Sequence, residues 1–200
     1  MAIKLIKNVD DIKINFEKFP NECNMLLVTG LSGSGKSWLS KQLAAQYDAK
    51  IFQPEWLINS KHTSPEFKHL LDDFLKTHFE IIPYVENKWN DVKCEDKHEV
   101  LKKYINLFFE YFLKNCDKQQ IYIIEGLQIF TLIDFDTIKD FPMIIKGTSS
   151  FNSLKNRLKR DLPKHTNKMQ YFFKIIKQSK LYQFKHRKKL NMFLAKLQSQ

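Results

Sequence analysis

A chain of 200 residues and 23.9 kDa, 43% apolar and 28% charged, is long enough to bury a substantial core as one domain, and no second folding unit is needed. Its formal net charge of +11 is lopsided: residues 151–200 carry 14 Lys or Arg against the single acid Asp161, a net +13, while the first 150 residues sum to −2. No apolar run approaches membrane-spanning length and Met1 to Lys7 lacks a long apolar stretch followed by small residues, so a cytoplasmic protein with no membrane partner is expected. Cys23, Cys94 and Cys116 form no closely spaced metal-ligand pair and are an odd count, which reads as reduced, mainly structural thiols.

Residues 3–6 and 12–16, the latter alternating Ile12, Ile14 and Phe16 with Lys13 and Asn15, predict a small strand pair. Met25 to Thr29 is an apolar run of strand length. Next comes Gly30-Leu31-Ser32-Gly33-Ser34-Gly35-Lys36-Ser37, which fits G-x-x-x-x-G-K-[ST] at every fixed position. Behind it, Leu39, Leu43 and Tyr47 recur at four-residue spacing, as on one face of a helix that Trp38 opens. Strand, glycine loop and helix together are the context that makes this pattern a phosphate-binding loop. Backbone N–H groups of the loop and of the helix N-terminus converge there, and their dipoles favour negative charge. Gly30, Gly33 and Gly35 allow the close backbone approach, Lys36 is expected to reach the β- and γ-phosphates, and Ser37 to place its hydroxyl on Mg²⁺. Ser32, Ser34 and Trp38 complete the expected nucleotide-binding positions.

Ala49 to Gln53 predicts a second short strand, stopped by Pro54 because proline cannot donate to a sheet ladder; its exit is Pro54-Glu55-Trp56. Ser64-Pro65-Glu66 opens a helix on which Phe67, Leu70, Leu71, Phe74, Leu75 and His78 follow at helical spacing, and Ile81 to Tyr84 breaks it. A second helix is expected over about Glu95 to Cys116, with Val100, Leu101, Tyr104, Ile105, Phe108, Phe109 and Phe112 as its apolar stripe. The aromatic and polar mixture of Tyr84 to Trp89 between the two suits a substrate pocket and an ordinary packed loop equally.

Ile121 to Ile124 is a continuous apolar run, as in a parallel strand covered on both faces, and ends in Glu125-Gly126. Pro142 to Ile145 is similar and ends in Lys146-Gly147. Ser149 to Leu162 reads as a helix containing Arg157-Leu158-Lys159-Arg160-Asp161, with Pro163 ending it. About Asn167 to Leu197 is a long or broken basic helix, with Met169, Phe172, Phe173, Ile176, Leu181, Phe184, Phe193 and Leu197 as candidate buried positions. The chain has only five glycines, three in the loop and two just past predicted strands, so all fall on the strand edge where open α/β sheets bind ligands.

Phosphoryl transfer asks a protein for charge neutralisation, alignment, and a group to orient or deprotonate the acceptor. Glu125, at a strand exit, is placed to order the Mg²⁺ shell, or alternatively to cap a neighbouring helix. Glu55 leaves the second strand on the same edge as a candidate general base, with Asp72 and Asp73 as competitors. Arg157 and Arg160, three apart on a helix, project from one side and could clamp a transferring phosphate; Lys159 is a third candidate and a solvated basic face the alternative.

These segments together resemble the P-loop kinases of the nucleoside and nucleoside-monophosphate kinase superfamily, uridine-kinase-like members in particular. The likeness rests on Gly30 to Ser37, on the strand ending Glu125-Gly126, and on Arg157 to Asp161, which is similar to that group's lid sequence; it spans about residues 24–162. It implies an α/β fold, a P-loop NTPase three-layer sandwich with a central, mostly parallel sheet. Residues 1–200 would then form one domain, with a helical acceptor-binding insertion at 54–117 and a helical lid at about 149–165. ATP and Mg²⁺ are the implied cofactors, held by Lys36 and Ser37 with support from Glu125, while Arg157 and Arg160 act from the lid. Two departures stand out: that group commonly has aspartate after the second strand where this chain has Gln53-Pro54-Glu55-Trp56, and no final strand is evident in residues 163–200.

The resulting expectation is an ATP-dependent kinase acting on a hydroxyl of a small molecule, a nucleoside or related metabolite among the candidates. A polynucleotide-directed P-loop kinase or ATPase that uses the basic C-terminal region, and a nucleotide-dependent switch or toxin-like module, are the alternatives.

Overall fold

The computed structural model describes residues 3–6, 24–57, 65–78, 94–164 and 166–199. Five strands, β1 (Ile3–Ile6), β2 (Met25–Gly30), β3 (Lys50–Phe52), β4 (Tyr122–Glu125) and β5 (Met143–Lys146), form one all-parallel sheet in the order β1-β5-β2-β4-β3. Parallel neighbours need crossovers, and the long ones here carry helices: α1 (Lys36–Tyr47), α2 (Pro65–Thr77), α3 (Cys94–Asn115), α4 (Gln128–Thr131), α5 (Phe135–Ile138), α6 (Ser150–Asp161) and α7 (Lys168–Gln198).

The unbroken apolar runs at β2 and β4 follow from coverage on both faces. Met25 and Leu27 point to the side of α2, α3 and α7, sharing a core with Phe67, Phe108, Ile124 and Phe193. Their neighbours Leu26 and Val28 point the other way, against Leu39 and Leu43 of α1. Helices thus flank both faces of an α/β sheet, an arrangement compatible with a three-layer sandwich. The larger core is aromatic: the Phe52 ring lies 4.9 Å from Phe67 and 5.4 Å from Phe108, and Phe112 meets Tyr122 edge-on at 5.0 Å. The stripe expected on α2 and α3 is therefore structural, and α3 runs within a residue of its expected bounds at each end.

Three details depart from expectation or refine it. Ile3–Ile6 is a strand and pairs with β5, which puts it at the end of the sheet among the described strands. Residues 12–16, the other half of the expected pair, lie outside the described residues. The basic segment is one continuous helix of 31 residues; the side chain of Leu181 lies outside the described residues, and only some of the other expected buried positions are buried. Phe193 and Leu197 enter the core together with Ile175, whereas Met169 is 72% exposed, Phe173 63% and Phe184 74%. Ile175, Phe193 and Leu197 share one side of the helix and Phe173 and Phe184 stand about half a turn away, so the apolar residues off its packed face stay in solvent.

Register brings four strand ends to one edge. Val28 pairs with Glu125, Gly30 with Lys146, and Phe52 with Ile124, so Gly30, Gln53, Glu125 and Lys146 leave the sheet side by side.

Candidate functional site

A cleft of about 330 Å³ opens at that edge. The loop and the start of α1 contribute Ser32, Gly33, Gly35, Lys36, Ser37 and Trp38; the exit of β4 contributes Glu125, Gly126, Leu127 and Gln128; α6 contributes Asn156 and Arg160. Gly30 and Ser34 lie beneath the cleft as scaffold. The Ser34 hydroxyl is buried against Gly30, and a Cβ on Gly30 would strike the Lys146 carbonyl of the adjacent strand.

Gly33 carries a tight requirement of its own, toward α6. Its φ of +79° is a left-handed conformation that side chains disfavour, and a Cβ there would lie 2.5 Å from the Ser153 carbonyl oxygen. The loop is closed by the Ser34 N–H donating to Leu31 O at 3.1 Å, and α1 begins at Gly35 with φ +91°. No acid occupies the first turn of α1, so nothing there competes with an anion for the helix N-terminus. Lys36 is buried in the loop and donates to Leu31 O at 3.0 Å.

Glu125, only 5% exposed, accepts from Ser37 Oγ at 3.0 Å on one oxygen and from Gln53 Nε2 on the other. Its carboxylate is thereby oriented from the first turn of α1 and from the exit of β3, and faces the loop. Thr29 Oγ1 donates to Gly126 O at 2.7 Å, which fixes the turn after β4 against β2. Among the described residues no group of three or more His, Cys, Asp or Glu gathers to hold a metal. An Mg²⁺ ion at Ser37 and Glu125 would draw the rest of its shell from phosphate and water, as this ion ordinarily does.

One face of α6 lies on the loop. Ser149 caps the helix by accepting from the Asn152 N–H at 3.1 Å. One turn on, Ser153 Oγ donates to Ser32 O, and Asn156 Nδ2 donates to Gly33 O at 2.9 Å. Arg157 lays its Cγ over Gly33, and Arg160 reaches the cleft wall. Arg160 is held by Asp161 through Nε and a terminal nitrogen at 2.7 and 2.9 Å, and this hydrogen bonding keeps the Asp161 carboxyl below its ordinary pKa.

The remaining sequence candidates fall differently. Glu55 lies in a 3₁₀ turn, Pro54–Leu57, directly after β3, and its side chain lies outside the described residues. Pro54 of that turn reaches toward Gly126, within 3.3 Å of where its Cβ would be. Asp72 is exposed on α2, and Asp73 is occupied by Lys76 at 2.7 Å and His69 at 3.1 Å; neither lines the cleft. Tyr84 to Trp89 lies outside the described residues. Among the described residues, α2 and α3 contribute nothing to the cleft. Lys159 is exposed and Gly147 stands in open space, both apart from the cleft lining.

Sequence reading missed Gln53, Gln128, Ser153 and Asn156. The last two had a detectable signal: Ser153, Asn156, Arg157 and Arg160 follow the i, i+3, i+4, i+7 spacing of one helical face. Gln53 had none, because only the sheet register brings it to Glu125. No family model matches this chain, and no curated protein does.

Proposed function

We propose that this protein is an ATP-dependent phosphotransferase with a P-loop kinase fold, moving the γ-phosphate of ATP to a hydroxyl of a small-molecule acceptor, with nucleosides and related metabolites the first class to test. The observation that carries this reading is the Ser37 to Glu125 hydrogen bond at the mouth of a positive-φ glycine loop holding Lys36. It supports the reading because a hydroxyl and a carboxylate converge where a phosphate-bound cation would sit. Bound there, Mg²⁺ supplies neutralisation of the phosphate charge. Loop N–H groups and Lys36 hold the polyphosphate, and Glu125, kept in place by Gln53, orients the Ser37 side of the metal shell.

Arg160, exchanging Asp161 for phosphate oxygens, and Arg157 add positive charge from α6. In the transfer the acceptor oxygen forms a bond to the γ-phosphorus, the bond from that phosphorus to the bridging oxygen breaks, and the electron pair leaves with ADP. The acceptor proton passes to a base, for which Glu55 is the candidate by its position after β3.

The test is acceptor-dependent ADP release by the purified chain with ATP, Mg²⁺ and a panel of nucleosides, nucleotides and sugars, with Lys36→Met as the inactive control. Release with at least one acceptor, abolished in the control, is expected. Absence of release across the whole panel overturns the assignment.

A further inference from the structure

We infer that the outward face of α7 binds single-stranded nucleic acid, a property beyond the proposed phosphotransfer and independent of it. Ile175, Phe193 and Leu197 are buried and define the packed side of this helix. About half a turn of rotation away, at spacings of 4, 7 and 4 residues, stand Phe173, Lys177, Phe184 and Lys188. All four are exposed, the two rings at 63% and 74%. Phe173 also meets Phe172 edge-on at 5.7 Å, and the exposed Lys174 and Lys185 flank the row. The result is a stripe in which aromatic and cationic side chains alternate over about 22 Å of helix.

Charge complementarity selects an anionic partner. From residue 162 to the last residue there is no acid, against nine Lys and one Arg, so no carboxylate on this helix repels a phosphate chain. The alternation selects between anionic partners. A helix that lies in a lipid surface separates an apolar face from a cationic one. Here Lys177 and Lys188 share the face of Phe173 and Phe184, so immersing the rings would bury the ammonium groups with them. A single-stranded polynucleotide offers a phosphate for each lysine and an unstacked base for each ring, and base-on-aromatic stacking tolerates any sequence. Paired bases in a duplex are not free to stack on a protein ring, so a duplex would engage the lysines alone.

The test is fluorescence anisotropy of a labelled 20-nucleotide oligo(dT) with the full chain, beside the matching oligo(dA)·oligo(dT) duplex and vesicles of phosphatidylserine and phosphatidylcholine. The single strand should bind at low salt and more tightly than the duplex. The double change Phe173→Leu with Phe184→Leu keeps apolar area and charge but removes the rings, and should weaken single-strand binding at least about tenfold. Phe173→Tyr with Phe184→Tyr should restore it. Lys177→Gln with Lys188→Gln should make the log–log salt dependence shallower by about 1.4. Far-UV circular dichroism should be unchanged in all variants. Equal binding of duplex and single strand, full affinity in the leucine variant, or binding to vesicles in place of the oligonucleotide overturns the inference. Lys36→Met should bind the oligonucleotide as the parent does, so failure of the phosphotransfer reading and failure of this one are separable.

Discussion

Ser37 on the first turn of α1 donates its hydroxyl proton to Glu125 Oε1 across 3.0 Å, joining the end of the glycine loop to the end of β4. Glu125→Gln would keep the side-chain volume but remove the charge and replace an acceptor oxygen with an amide nitrogen that accepts from neither Ser37 nor Gln53. Titration calorimetry of ATP at several Mg²⁺ concentrations should show metal-dependent binding weakened about 10- to 100-fold. An unchanged Mg²⁺ dependence would separate Glu125 from the metal.

The contact of Gly33 with α6 makes two glycines very unequal. Gly33→Ala introduces a Cβ 2.5 Å from Ser153 O at φ +79°, which costs about 1–3 kcal/mol in backbone strain and forces α6 off the loop. Gly147→Ala meets nothing within 4 Å and should stay within about 0.5 kcal/mol of the parent. Thermal unfolding of both variants checks this; similar melting temperatures would mean that α6 does not press on the loop.

His186 gives α7 a pH response. Burial holds its imidazole pKa down at about 4, with the Lys189 charge adding to the effect, against an ordinary value of 6.5. Between those two pH values the unfolded chain binds the proton that the folded chain refuses, so stability falls as pH drops through that window. Urea unfolding across pH 7 to 4 should show the decline, and His186→Gln, which cannot titrate, should flatten it. An identical slope in the variant would remove His186 from the account.

Tyr104 is 3% exposed, packs at 5.7 Å from Phe74, and among the described residues its hydroxyl has no hydrogen-bond partner. Burial pushes its phenol pKa upward. Removing an unsatisfied buried hydroxyl is favourable, so Tyr104→Phe should be neutral or stabilising by up to about 1 kcal/mol. Phe112→Ala, in the same aromatic core, should cost about 3–5 kcal/mol. Chemical denaturation of both variants decides it, and a loss above about 1 kcal/mol in Tyr104→Phe would mean that the hydroxyl is bonded.

Much of this architecture is local in origin and readable from the chain. Gly30 to Ser37 carries its own turn requirements, Ser149 and Asn167 cap their helices within three residues, and the apolar periodicity of α2 and α3 marks their buried faces. The continuous apolar runs at β2, β4 and β5 likewise dictate strands covered on both sides, and with them a parallel sheet.

Tertiary structure alone decided which segments met. Backbone pairing is nearly blind to side-chain identity, so nothing in Ile3–Ile6 announced that it would take the edge beside β5. Register, which no single strand encodes, set Gln53 on Glu125 and brought four strand exits to one edge of the sheet. The same limit governs α7. Its sequence determined a basic helix with apolar residues on more than one side, but the choice of the side that packs decided that Phe193 and Leu197 are buried while Phe173 and Phe184 face water, because burial depends on what lies opposite.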